Sequence, residues 1–259
     1  MPEAGEDIED LASVRLGIQH SIGGQQRQAM LMRQLHQIDD KEPDDFVVEC
    51  TNEPNFWTSG SGFATNVLPS FYNAVKAAHP AVRVIGPATV ALQPANLAWI
   101  EQFIDAGGAN YLDAFSFHHY NGTQGDFDTA RKSVGGLKSL LARKGLSHLE
   151  LYQTEQGDFT AMYGLFAMRH GVRWTMTRAL IYEQEGLPME RNHYWYDRSH
   201  GFWDFPMFLN NGYGGLMPQA TAFRVFGSEL FGKSHARKFT FGGTLDNIYA
   251  GSLFSGPSG

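Results

Sequence analysis

The sequence predicts an α/β fold, a parallel sheet of about six strands with crossover helices, running into the start of a β module near the C-terminus. Three observations predict it. Short apolar runs alternate with amphipathic helical stretches from about residue 13 to about residue 197. Helical stretches are stopped by prolines or glycines such as Pro80, Gly145 and Gly186. Near the end the rhythm gives way to two short strands around the turn-forming "GGTLDN", the pattern of an antiparallel hairpin.

Taken in order, "SVRLGIQHSI" reads as a strand and "GGQQRQAMLMRQLHQIDD" as the helix after it, with Met30, Leu31, Leu35 and Ile38 at three- and four-residue steps. "DDFVVECTNEP" is the second strand, running into Asn52 and Glu53, and "NVLPSFYNAVKAAHP" is a helix stopped by Pro80. "VRVIGPAT" is the third strand, followed by the helix "NLAWIEQFIDAGG". "LDAFSFHHY" is the fourth, and in the next helix Phe127, Ala130, Val134, Leu137 and Leu141 share one face, with Gly145 as the cap. "LSHLELYQTEQG" is the fifth. A long helix from about Met162 to Glu185 follows, whose Met162, Phe166, Met168, Trp174 and Met176 read as packing against a sheet, and "MERNHYWYD" is the sixth strand. "PQATAFRVFGSELFG" reads as a helix, and "ARKFTF" and "NIYAGSLF" as the closing hairpin. The division expected is residues 1–232 for the (β/α) part and 233–259 for the β module.

With 259 residues, 42% hydrophobic and 13% aromatic, the chain carries enough apolar surface for a sizeable core. Its formal net charge of −7 comes with no run of Lys or Arg, so neither nucleic acid nor an acidic membrane surface is an expected partner. No apolar stretch reaches the roughly 18 residues of a membrane span. The first residues, "MPEAGEDIEDLASV", are acidic where a signal peptide would be basic and then apolar, and give no readable address. Cys50 is the one cysteine, which rules out an internal disulfide, and no Cys and His spacing suggests a zinc site.

In α/β folds chemistry collects at the carboxyl ends of the strands. The polar endings here are Asn52 and Glu53, then Ser116, His118 and Tyr120, then Thr154 and Glu155, then Trp195. Glu53 and Glu155 form the pair of interest, because two carboxylates facing one cavity can divide the roles of acid and nucleophile at a glycosidic bond. His118 and His119 are adjacent, so strand alternation sends only one inward. His118, in register with Ser116 and Tyr120, is the candidate, and His119 is expected in an outer structural role. Trp57 and Trp195 are candidate sugar-stacking platforms.

These residues carry a family resemblance. "VECTNEP" resembles the fourth-strand motif of the clan A retaining glycoside hydrolases, (β/α)8 TIM barrels in which the Glu of Asn-Glu-Pro is the acid/base. "LYQTEQG" resembles their seventh-strand motif, whose Glu is the nucleophile, while "VRVIGPA" and "DAFSFHHY" are similar to the strands between. Glu49, three residues before Asn52, brings the pattern closest to the family 39-like xylosidase and iduronidase group, although Val48 and Thr51 stand where relatives often carry other residues. The resemblance spans roughly Gly24 to Asp204.

It implies a retaining cleavage of a β-glycosidic bond in a glycoside or oligosaccharide, with Glu155 as nucleophile, Glu53 as acid/base and Asn52 on the sugar 2-hydroxyl. Tyr120 or His118 would hold Glu155, and no metal or organic cofactor is required. The rival reading is a non-catalytic carbohydrate-binding or scaffold protein on a degenerate barrel. The resemblance also implies two strands before "SVRLGIQHSI" that the preceding dozen residues are too few to supply. An incomplete barrel is therefore expected, with another chain as a possible cover for its open edge.

Overall fold

The computed structural model describes residues 47–120, 127–156, 172, 176–188, 191, 221, 222, 224, 225, 228, 229, 234–239 and 251–255. The expected first strand and its helix, the strand near 189–197, and Trp195 and Trp174 lie outside the described residues. Among the described residues the chain divides into two compact units. One holds residues 47–117 and 140–152, the other residues 118–139 and those from 153 onward.

The first unit is built on the sheet. Strands β1 (Val47–Glu49), β2 (Arg83–Thr89), β3 (Ala114–His118) and β4 (Leu151–Glu155) lie in that order, with β1–β2 and β2–β3 parallel. Between β1 and β2 run helices α1 (Gly60–Asn66) and α2 (Leu68–Ala78), and between β2 and β3 runs α3 (Pro94–Asp105). A parallel pair needs such a crossover, so the alternation in the sequence becomes the repeat of a TIM-type barrel. β2 and β3 are buried almost throughout, as strands covered on both faces must be.

The core of this unit is an aromatic cluster where α1 meets α3. Phe63 lies 6.0 Å from Trp99 and 5.9 Å from Phe103, and Trp99 stacks on Phe103 at 7°. The helices approach closely because Gly60 has no side chain, since a Cβ there would lie 2.2 Å from the Trp99 carbonyl oxygen and 2.7 Å from the Phe103 nitrogen. Both are backbone atoms and cannot swing away. Gly60→Ala is therefore expected to destabilise the fold by about 1–3 kcal/mol, read as a lower urea midpoint at unchanged slope.

α1 was not expected from the glycine-rich "SGSGFATN". Its start is set by Ser59, whose side chain accepts a hydrogen bond from the Gly62 N–H at 3.1 Å, a Ser N-cap visible in the sequence once the helix is known. Asp113 ties the lower end of the sheet, accepting the Val84 N–H at 2.7 Å and pairing with Lys76 at 2.8 Å.

Helix α4 (Phe127–Arg143) carries the expected stripe, with Val134, Leu137 and Leu141 all buried. Burying each such side chain contributes up to about 1.5–3 kcal/mol relative to exposure. The helix closes at Gly145, whose φ of +73° is the left-handed cap. Residues 176–184 are helical and end at Gly186, φ +80°, as expected. At the C-terminus β5 (Ser234–Phe239) and β6 (Gly251–Ser255) pair antiparallel, the anticipated hairpin. No helix among the described residues is long and apolar enough to cross a membrane.

Candidate active site

In the first unit the polar ending of β1 is a structured turn. The expectation that the strand runs straight into Asn52 is corrected: β1 stops at Glu49, and Glu53 adopts the left-handed conformation, φ 45° and ψ 57°, ahead of a 3-10 turn at Pro54–Phe56. Two features impose this. Pro54 occupies the first position of the turn, where its fixed φ suits the helix and its missing N–H costs nothing. The Glu53 N–H donates to the Ala88 carbonyl at 3.2 Å.

Ala88 is itself left-handed, φ 54°, at the point where the register of β2 against β3 slips between Pro87 and Thr89. A non-glycine residue in that region costs roughly 1–2 kcal/mol. Two such residues joined by one hydrogen bond place the carboxylate-bearing residue at a fixed point beyond the strand, and strain of this kind concentrates at functional sites. Asn52 is exposed, Glu53 is half-buried and Trp57 is 38% exposed, its ring edge-on to Phe63 at 6.3 Å. Cys50 is buried, and burial, then the charge of Glu49, pushes its thiol pKa up, which suits an inert core residue.

The second unit brings together three of the expected residues. At the end of β4 the Glu155 Oε2 accepts a hydrogen bond from the Tyr120 hydroxyl at 3.3 Å and lies 3.2 Å from Nδ1 of the buried His118. Strand alternation explains the meeting: Gln153 and Glu155 share one face of β4, as Ser116 and His118 share one face of β3. The His119 N–H donates to the Glu155 carbonyl at 3.0 Å, which fixes the ends of the two strands against each other.

His119 has the structural role expected of it, but in the interior rather than on an outer surface. The helix at 176–184 supplies Tyr182, whose hydroxyl hydrogen-bonds the His119 ring and donates to Gln156 Oε1 at 3.3 Å. His119, Tyr182 and Gln156 are all buried. One hydroxyl therefore anchors the residue after His118 and the residue after Glu155. Sequence reasoning missed Tyr182 and Gln156; the available signal was a tyrosine on a helix face read as core, since a buried hydroxyl needs a partner.

Burial, then the positive charge of Arg178, lowers the His119 pKa from 6.5 to about 3. The unfolded chain therefore binds a proton between about pH 6.5 and pH 3 that the folded chain does not. His119 contributes its full stability above about pH 6.5 and loses it as the pH falls toward 3. The melting temperature should drop across that window, and His119→Gln should flatten the drop; a wild-type profile level from pH 7 to 4 contradicts a neutral, buried imidazole.

No protein-family model matches the chain, and no curated protein does. Solved structures do. A GH39 β-xylosidase from Caulobacter crescentus is 18% identical, with a TM-score of 0.55, over 78% of this chain and 47% of its own. A GH39 enzyme from Xanthomonas axonopodis pv. citri is 19% identical, with a TM-score of 0.53, over 78% and 44%. The likeness shows the fold, an incomplete TIM-type (β/α) barrel. A family 5 xyloglucanase from Paenibacillus pabuli, 12% identical with a TM-score of 0.55 over 77% of this chain and 66% of its own, shares it. The chain thus spans about half the length of the two GH39 structures and less than two thirds of the family 5 enzyme.

Proposed function

We propose that the protein is a retaining β-glycosidase in which Glu155 is the nucleophile and Glu53 the acid/base. The observation that carries the proposal is the Glu155 carboxylate, 16% exposed at the carboxyl end of a barrel strand, with Tyr120 and His118 within reach of one of its oxygens. Donors at a carboxylate fix its orientation, and a nucleophile must be held in line with the atom it attacks. The left-handed turn at Glu53 and the likeness in fold to GH39 and family 5 enzymes support the second half of the reading.

In the mechanism a Glu155 carboxylate oxygen attacks the anomeric carbon, and the bond from that carbon to the glycosidic oxygen breaks as the Glu53 carboxyl gives that oxygen its proton. A glycosyl ester on Glu155 results. The Glu53 carboxylate then takes a proton from water, the water oxygen attacks the anomeric carbon, and the ester bond breaks to restore both groups. Two displacements return the original anomer. Asn52, exposed beside Glu53, is the residue proposed to hold the sugar 2-hydroxyl.

A panel of 4-nitrophenyl β-glycosides, glucosides and xylosides first, tests the reading. Turnover with retention of the anomer, followed by NMR, is expected. Saturable sugar binding without turnover, unchanged in Glu155→Gln, would instead place the chain among non-catalytic carbohydrate-binding proteins.

A further inference from the structure

We infer that Phe56 is a leaving-group subsite, a platform for the sugar ring on the far side of the scissile bond, so that the substrate is an oligosaccharide rather than a glycoside of a small alcohol. The inference rests on the acid/base role proposed for Glu53. Three large apolar side chains are exposed among the described residues, and two of them, Phe56 at 69% and Trp57 at 38%, are neighbours on the turn that Glu53 opens. The Phe56 N–H donates to the Glu53 carbonyl at 3.1 Å, so ring and carboxylate belong to one turn of backbone. An acid/base gives its proton to the leaving group's oxygen, and the surface beside it is where that group rests.

The turn is held rigidly, which an incidental surface phenylalanine would not need. The Trp57 and Thr58 N–H groups both donate to the Pro54 carbonyl, at 3.1 and 3.0 Å. Asn55 Oδ1 accepts the Val90 N–H at 3.1 Å, and Trp99 Nε1 donates to the Thr58 carbonyl at 2.8 Å. Trp57 rests edge-on against Phe63 and so supports the turn while its neighbour stays open. The C–H face of a pyranose is apolar, and stacking it on an aromatic ring carried by a fixed backbone removes apolar area from water while ordering only two side-chain torsions. The exposed Ser59 and Ser61 hydroxyls, 3.3 Å apart just beyond the turn, suit the hydroxyl rim of the same ring.

The test is calorimetric titration of the whole chain with cellohexaose and with xylohexaose, every protein carrying Glu155→Gln so that bound sugar is not cleaved, for the wild-type residue at position 56, Phe56→Ala, Phe56→Tyr and the control Val225→Ala, which removes the third exposed apolar side chain. At least one hexasaccharide should bind with Phe56 in place, Phe56→Ala should weaken it about tenfold, and Phe56→Tyr should restore it. Binding by Phe56→Ala equal to that with Phe56 overturns the subsite, as does an equal loss in Val225→Ala or the absence of binding to both sugars with Phe56 in place. Turnover of 4-nitrophenyl glycosides by the wild type, with Glu155 intact and measured alongside, decides the catalytic reading separately. Activity there with Phe56-independent binding removes the subsite alone, and Phe56-dependent binding without activity keeps the platform and removes the acid/base role.

Discussion

Glu155→Gln should lower turnover of every glycoside substrate by on the order of 10⁴-fold or more, whatever the leaving group. The reason is that an amide of nearly the same shape cannot form the glycosyl ester, and a good leaving group does nothing for a missing nucleophile. The fold should survive, because the Tyr120 hydroxyl still finds an amide oxygen to donate to and the Glu155 backbone carbonyl still receives the His119 N–H. Steady-state rates on 2,4-dinitrophenyl and 4-nitrophenyl glycosides, with circular dichroism as the check on folding, measure it. Residual rates within tenfold of the wild type on either would remove Glu155 from the mechanism.

Replacing Glu53 by Gln should produce a different pattern, a loss that depends on the leaving group. General acid catalysis is worth typically 10²–10⁴-fold, and only a leaving group that needs the proton can lose it. Oligosaccharides and alkyl glycosides should lose about that factor, while 2,4-dinitrophenyl glycosides should keep the rate of their first step. The comparison is made by plotting rate against leaving-group pKa for wild type and variant. Equal losses across the series would mean that the left-handed turn at Glu53 serves the fold and not the proton.

Much of this was readable in the sequence because the physics was local. The apolar stripe of α4 repeats at helical spacing, so the spacing alone assigns Val134, Leu137 and Leu141 to a buried face. Gly145 and Gly186 mark left-handed caps for the same reason that they are glycines. Alternation put His118 and Tyr120 on one face at a strand end, and the family resemblance implied that one of them holds Glu155; both lie within reach of its carboxylate.

What was not readable depended on tertiary contacts. Apart from Ala64, nothing in "GSGFATN" favours a helix by propensity; α1 forms where Gly60 lets it press on α3 and Phe63 joins Trp99 and Phe103. The end of β1 at Glu49 goes with a hydrogen bond from Glu53 to Ala88, 35 positions away and at an irregularity in another strand. His119 looked outward by alternation, and it is: the sheet's outward face is simply covered there, by a helix whose Tyr182 had no periodic signature. Phe56 escaped notice beside Trp57 because sequence cannot say which of two adjacent aromatics packs and which stays open.

The most direct measurement is to trap the intermediate. Incubating the protein with 2,4-dinitrophenyl 2-deoxy-2-fluoro-β-glycosides, glucoside and xyloside, slows both displacements by withdrawing electrons from the transition state, while the good leaving group keeps the first step the faster. The glycosyl-enzyme should then accumulate. Mass spectrometry of the intact chain should show one added fluoro-sugar, and peptide sequencing should place it on Glu155 in the segment Leu151–Glu155. A label on any other carboxylate, or steady turnover of the parent glycosides with no trapped ester, would contradict the account.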